Sequence, residues 1–142
     1  MEHKKVLSIL VDNTTGVLSR VSGLFSRRGY NIDSITAGET TDPRYTRMTI
    51  VVNGDDQVLE QIHKQLNKLV DVVDIKELMD NRSVCRELVL VKVRCNAQER
   101  QSVIAIADIF RANIVDVSKD SLIVEMTGAQ SKIDAFIQLL DG

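Results

Sequence analysis

The sequence predicts an α+β fold built from two consecutive units of the same type. The first observation is a repeated order of strand-like alternating runs and apolar stripes at helical spacing. The second is a polar stretch at residues 80–83, after which this order starts again. The third is composition, since 44% hydrophobic residues with one proline and seven glycines are typical of a globular chain. A chain of 142 residues is long enough for two small domains.

Hydrophobic periodicity divides the first half of the chain into four strands and two helices. Apolar runs predict strands at residues 4–11, 31–39, 46–53 and 70–78. Apolar residues at helical spacing predict a first helix at residues 16–28, which Gly29 ends. A second helix follows the next turn, where Asp55 or Asp56 provides the N-cap.

The order strand, helix, strand, strand, helix, strand is that of a ferredoxin-like unit, in which both helices pack on one face of an antiparallel sheet. Right-handed crossovers place the first and third strands at the centre of this sheet. The turn at residues 38–45, which contains Pro43, predicts that the second and third strands pair as a hairpin. An edge strand remains, and edge-to-edge pairing of two copies would cover it.

The second half repeats this βαββαβ order without its last strand. Strands are predicted at residues 86–95, 113–118 and 121–127, and helices at residues 97–111 and 129–140. We therefore expect two tandem ferredoxin-like domains, at residues 1–79 and 86–142, joined by a linker at residues 80–85. The absent strand leads us to expect that the natural chain continues beyond Gly142 or that another segment or subunit fills this sheet position.

Composition and motifs exclude several classes of function. The formal net charge of -2 gives no indication of a nucleic-acid partner. No apolar run reaches membrane-spanning length and no signal peptide precedes the first strand, so we expect a cytoplasmic protein. Motifs for phosphate binding, dinucleotide binding, serine hydrolysis and zinc proteolysis are absent. Cys85 and Cys95 are too few for a zinc or redox motif, and we expect both to be buried or half-buried free thiols.

A polar turn at residues 12–16 is the best candidate for a binding site. It lies between a buried strand and the start of the first helix. There the unpaired backbone N–H groups and the helix dipole attract an anion such as an amino acid carboxylate. We expect Thr14 or Thr15 to cap the helix, and Gly16 to let a ligand approach the backbone. A capped connection with no ligand is the alternative interpretation.

The first half contains four stretches that carry a family resemblance, namely DNTTGVLSRV at 12–21, GLFSRRGYNI at 23–32, RMTI at 47–50 and QIHKQLNKLVDV at 61–72. The second half adds REL at 86–88, LVKV at 90–93, IFR at 109–111 and IVDV at 114–117. Together they resemble the small regulatory subunit of acetolactate synthase, also called acetohydroxyacid synthase (AHAS), whose N-terminal half is an ACT domain. The resemblance covers nearly the whole chain, although members of this family usually continue through a final strand and tail.

This resemblance implies a regulatory protein of branched-chain amino acid biosynthesis rather than an enzyme. The subunit would activate the thiamine-diphosphate-dependent catalytic subunit and confer feedback inhibition by a branched-chain amino acid, usually valine. It would carry no cofactor, since thiamine diphosphate, magnesium and FAD would belong to the catalytic partner. Two copies would form a homodimer through their ACT domains. The alternative function is a stand-alone amino-acid-sensing ACT protein that regulates another enzyme or transcription, for which no helix-turn-helix or basic groove is visible.

The resemblance also implies an effector site at the interface of two ACT domains, at positions that match Asn13, Gly16 and Asn31. Backbone N–H groups near Gly16 would bind the α-carboxylate of the effector. The carboxamides of Asn13 and Asn31 would serve its ammonium and carboxylate groups. Its apolar side chain would contact three residues, Val17, Leu18 and Ile32. Such a pocket distinguishes one methylene by only about 1–3 kcal/mol, so the sequence does not separate valine from leucine or isoleucine.

Overall fold

The computed structural model of the chain describes residues 3–79 and 82–141. The chain divides into two compact units, Met1–Ser83 and Val84–Gly142. The predicted linker at residues 80–85 includes Asp80 and Asn81, which lie outside the described residues. The linker and the domain limits therefore stay predictions.

The first unit contains a four-stranded antiparallel sheet and two helices. Its elements in chain order are β1 (His3–Asp12), α1 (Val17–Arg27), β2 (Ile32–Glu39), β3 (Tyr45–Gly54), α2 (Asp56–Asn67) and β4 (Val72–Leu78). The strand order across the sheet is β2-β3-β1-β4, so the first and third strands are central, as predicted. The edge strands of this sheet are β2 and β4.

The pairing register defines the two ends of this sheet. At one end, which we call the Asp12 end, Asp12 of β1 lies opposite Tyr45 of β3, and Glu39 of β2 lies opposite Thr46 of β3. The other end, which we call the Ile32 end, contains the first residue of β2. Because β1 and β2 are both antiparallel to β3, they run in the same direction. The start of β2 is therefore far from the end of β1.

Alternation along the strands gives the sheet one face that packs against both helices. The central strands bury six side chains on this face, Leu7, Ile9, Val11, Met48, Ile50 and Val52. The helices bury six more against them, Val17, Val21, Leu24, Phe25, Ile62 and Leu66. Full burial of each such side chain stabilises the fold by about 1.5–3 kcal/mol. This core fixes the start of α1 over the Asp12 end of the sheet.

Gly29 ends α1 through a left-handed turn, as its sequence position predicts. Its φ is 73°. The Tyr30 N–H donates to the carbonyl of Phe25 at 3.0 Å, and the Gly29 N–H donates to the carbonyl of Ser26 at 3.3 Å. The rings of Phe25 and Tyr30 meet edge to face with centroids 6.4 Å apart. These contacts form a Schellman motif with its hydrophobic pair, which directs the chain into β2.

The second unit repeats the fold with three strands. Its elements are β5 (Glu87–Arg94), α3 (Glu99–Ile109), β6 (Asn113–Val117), β7 (Ser121–Gly128) and α4 (Gln130–Leu140). The strand order is β5-β7-β6, so among the described residues no strand lies beside β5 where β4 lies beside β1 in the first unit. Cys95 is buried, as expected, whereas the prediction for Cys85 is wrong because it lies exposed before β5.

Two predictions about individual apolar residues are also wrong. The sequence predicts that Val70 begins the fourth strand, but Val70 is 94% exposed. It lies in a turn that is closed by a 3.1 Å hydrogen bond from the Val72 N–H to the carbonyl of Leu69. Helical spacing predicts that Ile137 belongs to the buried stripe of the last helix, but it is 45% exposed because the face of α4 that carries Phe136 packs inward.

Alanine substitutions at Gly23 and Gly29 make the same chemical change, and we expect opposite effects on stability. Gly29→Ala should lower the free energy of unfolding by about 1 kcal/mol, because an L side chain is strained at φ 73°. Gly23 lies inside α1, where an added Cβ would be 4.0 Å from Nη1 of Arg27. Gly23→Ala should therefore raise the free energy of unfolding by up to about 1 kcal/mol. Urea unfolding followed by circular dichroism measures both, and shifts of equal sign would contradict this assignment.

Candidate functional site

The start of α1 is left open by the residues that precede it. Gly16 occupies the N-cap position with φ 86° and ψ 0°, and no side chain caps the helix. The predicted cap by Thr14 or Thr15 is therefore wrong, because the left-handed Gly16 takes the position from which a threonine hydroxyl would cap. The Val17 N–H reaches only the carbonyl of Thr14, at 3.5 Å. The first N–H groups of α1 are thus available to an anion.

Two other helices in the chain close their starts with side chains. Asp55 accepts a hydrogen bond from the Val58 N–H at 2.9 Å at the start of α2. Before α3, the Asn96 side chain accepts from the Glu99 N–H at 2.8 Å, and the Glu99 side chain accepts from the Asn96 N–H at 3.0 Å. This is a capping box. Helix α4 also begins without a side-chain cap. A missing cap alone therefore does not mark a binding site, and the residues around the start of α1 must be considered as well.

Asn13 joins the loop before α1 to the hairpin between β2 and β3. Its side-chain amide donates to Oε2 of Glu39 at 3.1 Å and to the carbonyl of Pro43 at 3.0 Å. Its side-chain oxygen accepts from the hydroxyl of Thr46 at 3.1 Å, and its backbone N–H donates to the carbonyl of Arg44 at 2.8 Å. These bonds hold the Asn13 carboxamide and the Glu39 carboxylate together at the Asp12 end.

The sequence prediction missed Glu39 as a member of this site. The feature of the sequence that could have identified Glu39 is its position at the end of a predicted strand, just before the hairpin turn. Pairing of β2 with β3, and of β3 with β1, brings that position to the end of β1.

Arg20 adds a positive charge to the open start of α1. Its Nη1 lies 3.1 Å from the position that a Cβ on Gly16 would occupy. Its Nε donates to Oδ2 of Asp71 at 2.6 Å, and its side chain remains 47% exposed. This hydrogen bond lowers the pKa of the Asp71 carboxyl and raises the pKa of the Arg20 guanidinium. The guanidinium and the helix dipole therefore both favour an anion here. Sequence reasoning missed Arg20, although its spacing of four residues from Gly16 predicts a shared helix face.

Asn31 and Ile32 lie at the other end of the sheet. Strand β2 has 8 residues, so its two ends are about 23 Å apart at roughly 3.3 Å per residue. The Asn31 side-chain amide donates locally to Oδ1 of Asp33 at 3.1 Å. One copy of the chain therefore brings Asn13 and Gly16 together but leaves Asn31 at a distance. The six predicted site residues do not form one pocket within a single chain.

The predicted apolar contacts differ in their exposure. Val17 is 3% exposed and belongs to the core, so its side chain is not available to a ligand and that part of the prediction is wrong. The alternation of the helix faces explains this, because Val17 begins the buried stripe of α1. Leu18 is 51% exposed and Ile32 is half-buried, so both side chains remain available.

A cleft of about 350 Å³ lies in the second unit, lined by Lys92, Arg94, Asp120 and Ser121. None of the predicted site residues lines this cleft. No group of three His, Cys, Asp or Glu side chains within residues 3–79 and 82–141 could hold a metal ion. In the same ranges, no helix is both long enough and apolar enough to cross a membrane.

Both halves of the chain match family models. The model described as an AHAS small subunit-like ACT domain matches residues 7–74. The model described as the small subunit of acetolactate synthase matches residues 86–142. The two matches fall on the two compact units.

Known proteins and structures match over nearly the whole chain. A probable acetolactate synthase small subunit of Methanothermobacter thermautotrophicus is 54% identical over 136 residues, covering 95% of this chain and 81% of that protein. The acetolactate synthase small subunit of Haemophilus influenzae is 48% identical over 137 residues, covering 96% and 84%. The crystal structure of the small subunit from Thermotoga maritima has a TM-score of 0.91 at 45% identity, covering 98% of this chain and 87% of that one. The chain therefore belongs to the family of acetolactate synthase small subunits, which are the regulatory, non-catalytic subunits of that enzyme.

Proposed function

We propose that this chain binds an acetolactate synthase catalytic subunit in the cytoplasm, raises its rate and makes it sensitive to feedback inhibition by valine or another branched-chain amino acid. Membership of the small subunit family supports this proposal. Thiamine diphosphate, magnesium and FAD belong to the catalytic subunit, and the small subunit contributes the binding site for the effector.

The observation that carries the proposal is the separation of Asn13 and Asn31 by the length of edge strand β2. If two copies pair their β2 strands in antiparallel fashion about a two-fold axis, each strand runs opposite to the other. Asn31 of one copy then approaches Asn13 and Gly16 of the other. The pairing creates two equivalent sites, and each combines residues from both copies.

Strand β2 is suited to this pairing. It is an edge strand, and every residue after Ile32 is exposed along its length. Ile35, for example, is 38% exposed although it lies opposite the buried Ile50 on the helix-packed face. An uncovered edge with unpaired N–H and carbonyl groups is a template for another strand. A second copy of β2 would satisfy these groups and cover the exposed apolar side chain.

The composite site has groups for each part of an amino acid. The first N–H groups of α1, beside Gly16 and Arg20, would bind the α-carboxylate. Leu18 and the second copy's Ile32 would contact the apolar side chain. The carboxamide of the second copy's Asn31 would close the site with a hydrogen bond. Because the site spans two copies, effector binding strengthens their pairing.

Feedback inhibition follows if the paired arrangement is the less active one. The effector must then bind that arrangement more tightly, and a coupling of about 1–3 kcal/mol between the effector and the catalytic subunit would be ordinary. This coupling is reciprocal, so the catalytic subunit also changes the affinity for the effector.

Reconstitution with a purified catalytic subunit tests the proposed function directly. We expect the rate of acetolactate formation to rise when the chain is added, and valine to reverse part of that rise. The catalytic subunit alone, with and without valine, is the control. A chain that binds valine but leaves the rate unchanged would instead be a stand-alone sensor.

Mixing two defective variants tests whether the site is shared between copies. Gly16→Asp places a carboxylate where the effector carboxylate should bind, and Asn31→Ala removes the other side of the site, so each variant alone should lose valine binding by calorimetry. A mixed dimer has one intact site and one doubly altered site, so random mixing should restore about a quarter of the wild-type sites.

Asn113→Ala is the matched control for this experiment. Asn113 lies at the start of β6, two residues after the left-handed Arg111, just as Asn31 lies before β2, two residues after the left-handed Gly29. We expect this variant to retain valine binding. No recovery of valine binding in the mixture, with both variants folded, would mean that the residues do not combine across two copies.

A further inference from the structure

Glu39 lies at the end of β2 on the side of the sheet that faces the helices. Alternation along β2 places Ile35, Ala37 and Glu39 on one face, since their partners include the buried Ile50 and Met48. One carboxylate oxygen of Glu39 accepts the hydrogen bond from Asn13 at 3.1 Å. This hydrogen bond holds the Glu39 carboxylate next to the loop that precedes α1.

Two of the positive charges near this end of the sheet are paired with other carboxylates, and a third, Arg47, donates to the hydroxyl of Ser8 at 3.0 Å. Arg20 bonds Asp71 at 2.6 Å, and Arg44 bonds Asp42 at 2.7 Å. Glu39 forms no ion pair with any residue in the described ranges. Its exposed carboxylate can therefore accept a cation from outside the chain without breaking an existing ion pair.

The charges around Asn13 have the polarity of an amino acid. The start of α1 attracts an anion, and Nη1 of Arg20, whose Nε is bonded to Asp71, remains beside Gly16 as a further donor. The carboxylate of Glu39, which accepts a hydrogen bond from Asn13, repels an anion and attracts a cation. A zwitterion fits this arrangement in one orientation, with its carboxylate at α1 and its ammonium at β2.

We infer that Glu39 binds the α-ammonium group of the effector and makes the site selective for amino acids over carboxylic acids of the same carbon skeleton. This inference rests on the proposed effector site. The ammonium donates a charge-assisted hydrogen bond to the oxygen of Glu39 that Asn13 does not occupy. Glu39 is thus a specificity-determining residue as well as an acceptor for Asn13.

Glu39→Gln separates these two roles. Glutamine keeps an oxygen that can accept the hydrogen bond from Asn13, but it removes the negative charge. A purely structural role for Glu39 would leave the preference for amino acids unchanged. An electrostatic role would reduce the affinity for valine and spare its deaminated analogue.

The experiment measures the binding of valine and of 3-methylbutanoate to the full chain by calorimetry. The affinity of the weaker ligand is obtained from its competition with the tighter one. In the wild type we expect valine to bind more tightly than 3-methylbutanoate. In Glu39→Gln we expect valine to bind at least about tenfold more weakly, because a hydrogen bond to a charged group is lost, while the affinity for 3-methylbutanoate is unchanged or higher. Glu60→Gln is the control, since Glu60 pairs with Lys64 on the surface of α2 at 3.2 Å, and it should behave as the wild type.

Two results overturn the inference in distinguishable ways. If the wild type binds valine and Glu39→Gln keeps the same ratio of affinities, Glu39 does not bind the ammonium, and the proposed effector site stands. If the wild type binds neither valine, leucine nor isoleucine, the proposed effector site fails, and the role of Glu39 fails with it.

Discussion

The direction of β2 within the first sheet is the constraint on which the binding proposal depends. Both β1 and β2 are antiparallel to β3, so they run together, and the loop after β1 lies near the end of β2 rather than its start. Asn13 therefore meets Glu39, while Asn31 lies about 23 Å away at roughly 3.3 Å per residue. No change of rotamer can close that gap. A site that uses both asparagines needs a second copy, and the exposed edge of β2 is where that copy can pair.

The hydrogen bonds of Asn13 make this end of the sheet a defined surface. The loop before α1 and the turn between β2 and β3 are both irregular segments, which are usually the mobile parts of a fold. Side-chain and backbone hydrogen bonds of Asn13 connect them at four residues of the hairpin and its strands, Glu39, Pro43, Arg44 and Thr46. Binding groups placed on connected loops lose less conformational freedom when a ligand binds, because their geometry already exists in the free protein.

The two units show how one fold can have different surface chemistry. Helices α1 and α3 occupy the same position in the order of elements, and both end in a left-handed residue, Gly29 and Arg111. Their starts differ, because Asn96 and Glu99 cap α3 reciprocally, whereas Gly16 leaves α1 without a side-chain cap. A few residues in one loop therefore convert a closed helix start into one that can accept an anion. The proposed function depends on such local differences rather than on the fold itself.

Periodicity and local motifs predicted the order of the elements, most of the buried stripe of each helix, the Gly29 stop and the family, and they offered Asp55 or Asp56 as the cap of α2. Each of these depends on periodicity or on residues close together in the chain, and the structure and the comparisons confirm them. It misjudged the cap of α1, because capping preferences do not report the left-handed backbone of Gly16. The surroundings of the site depend on contacts between residues that are distant in the chain. Asn13 and Glu39 are 26 residues apart, and Arg20 and Asp71 are 51 apart. Strand direction and pairing bring such residues together, and no local spacing encodes that contact.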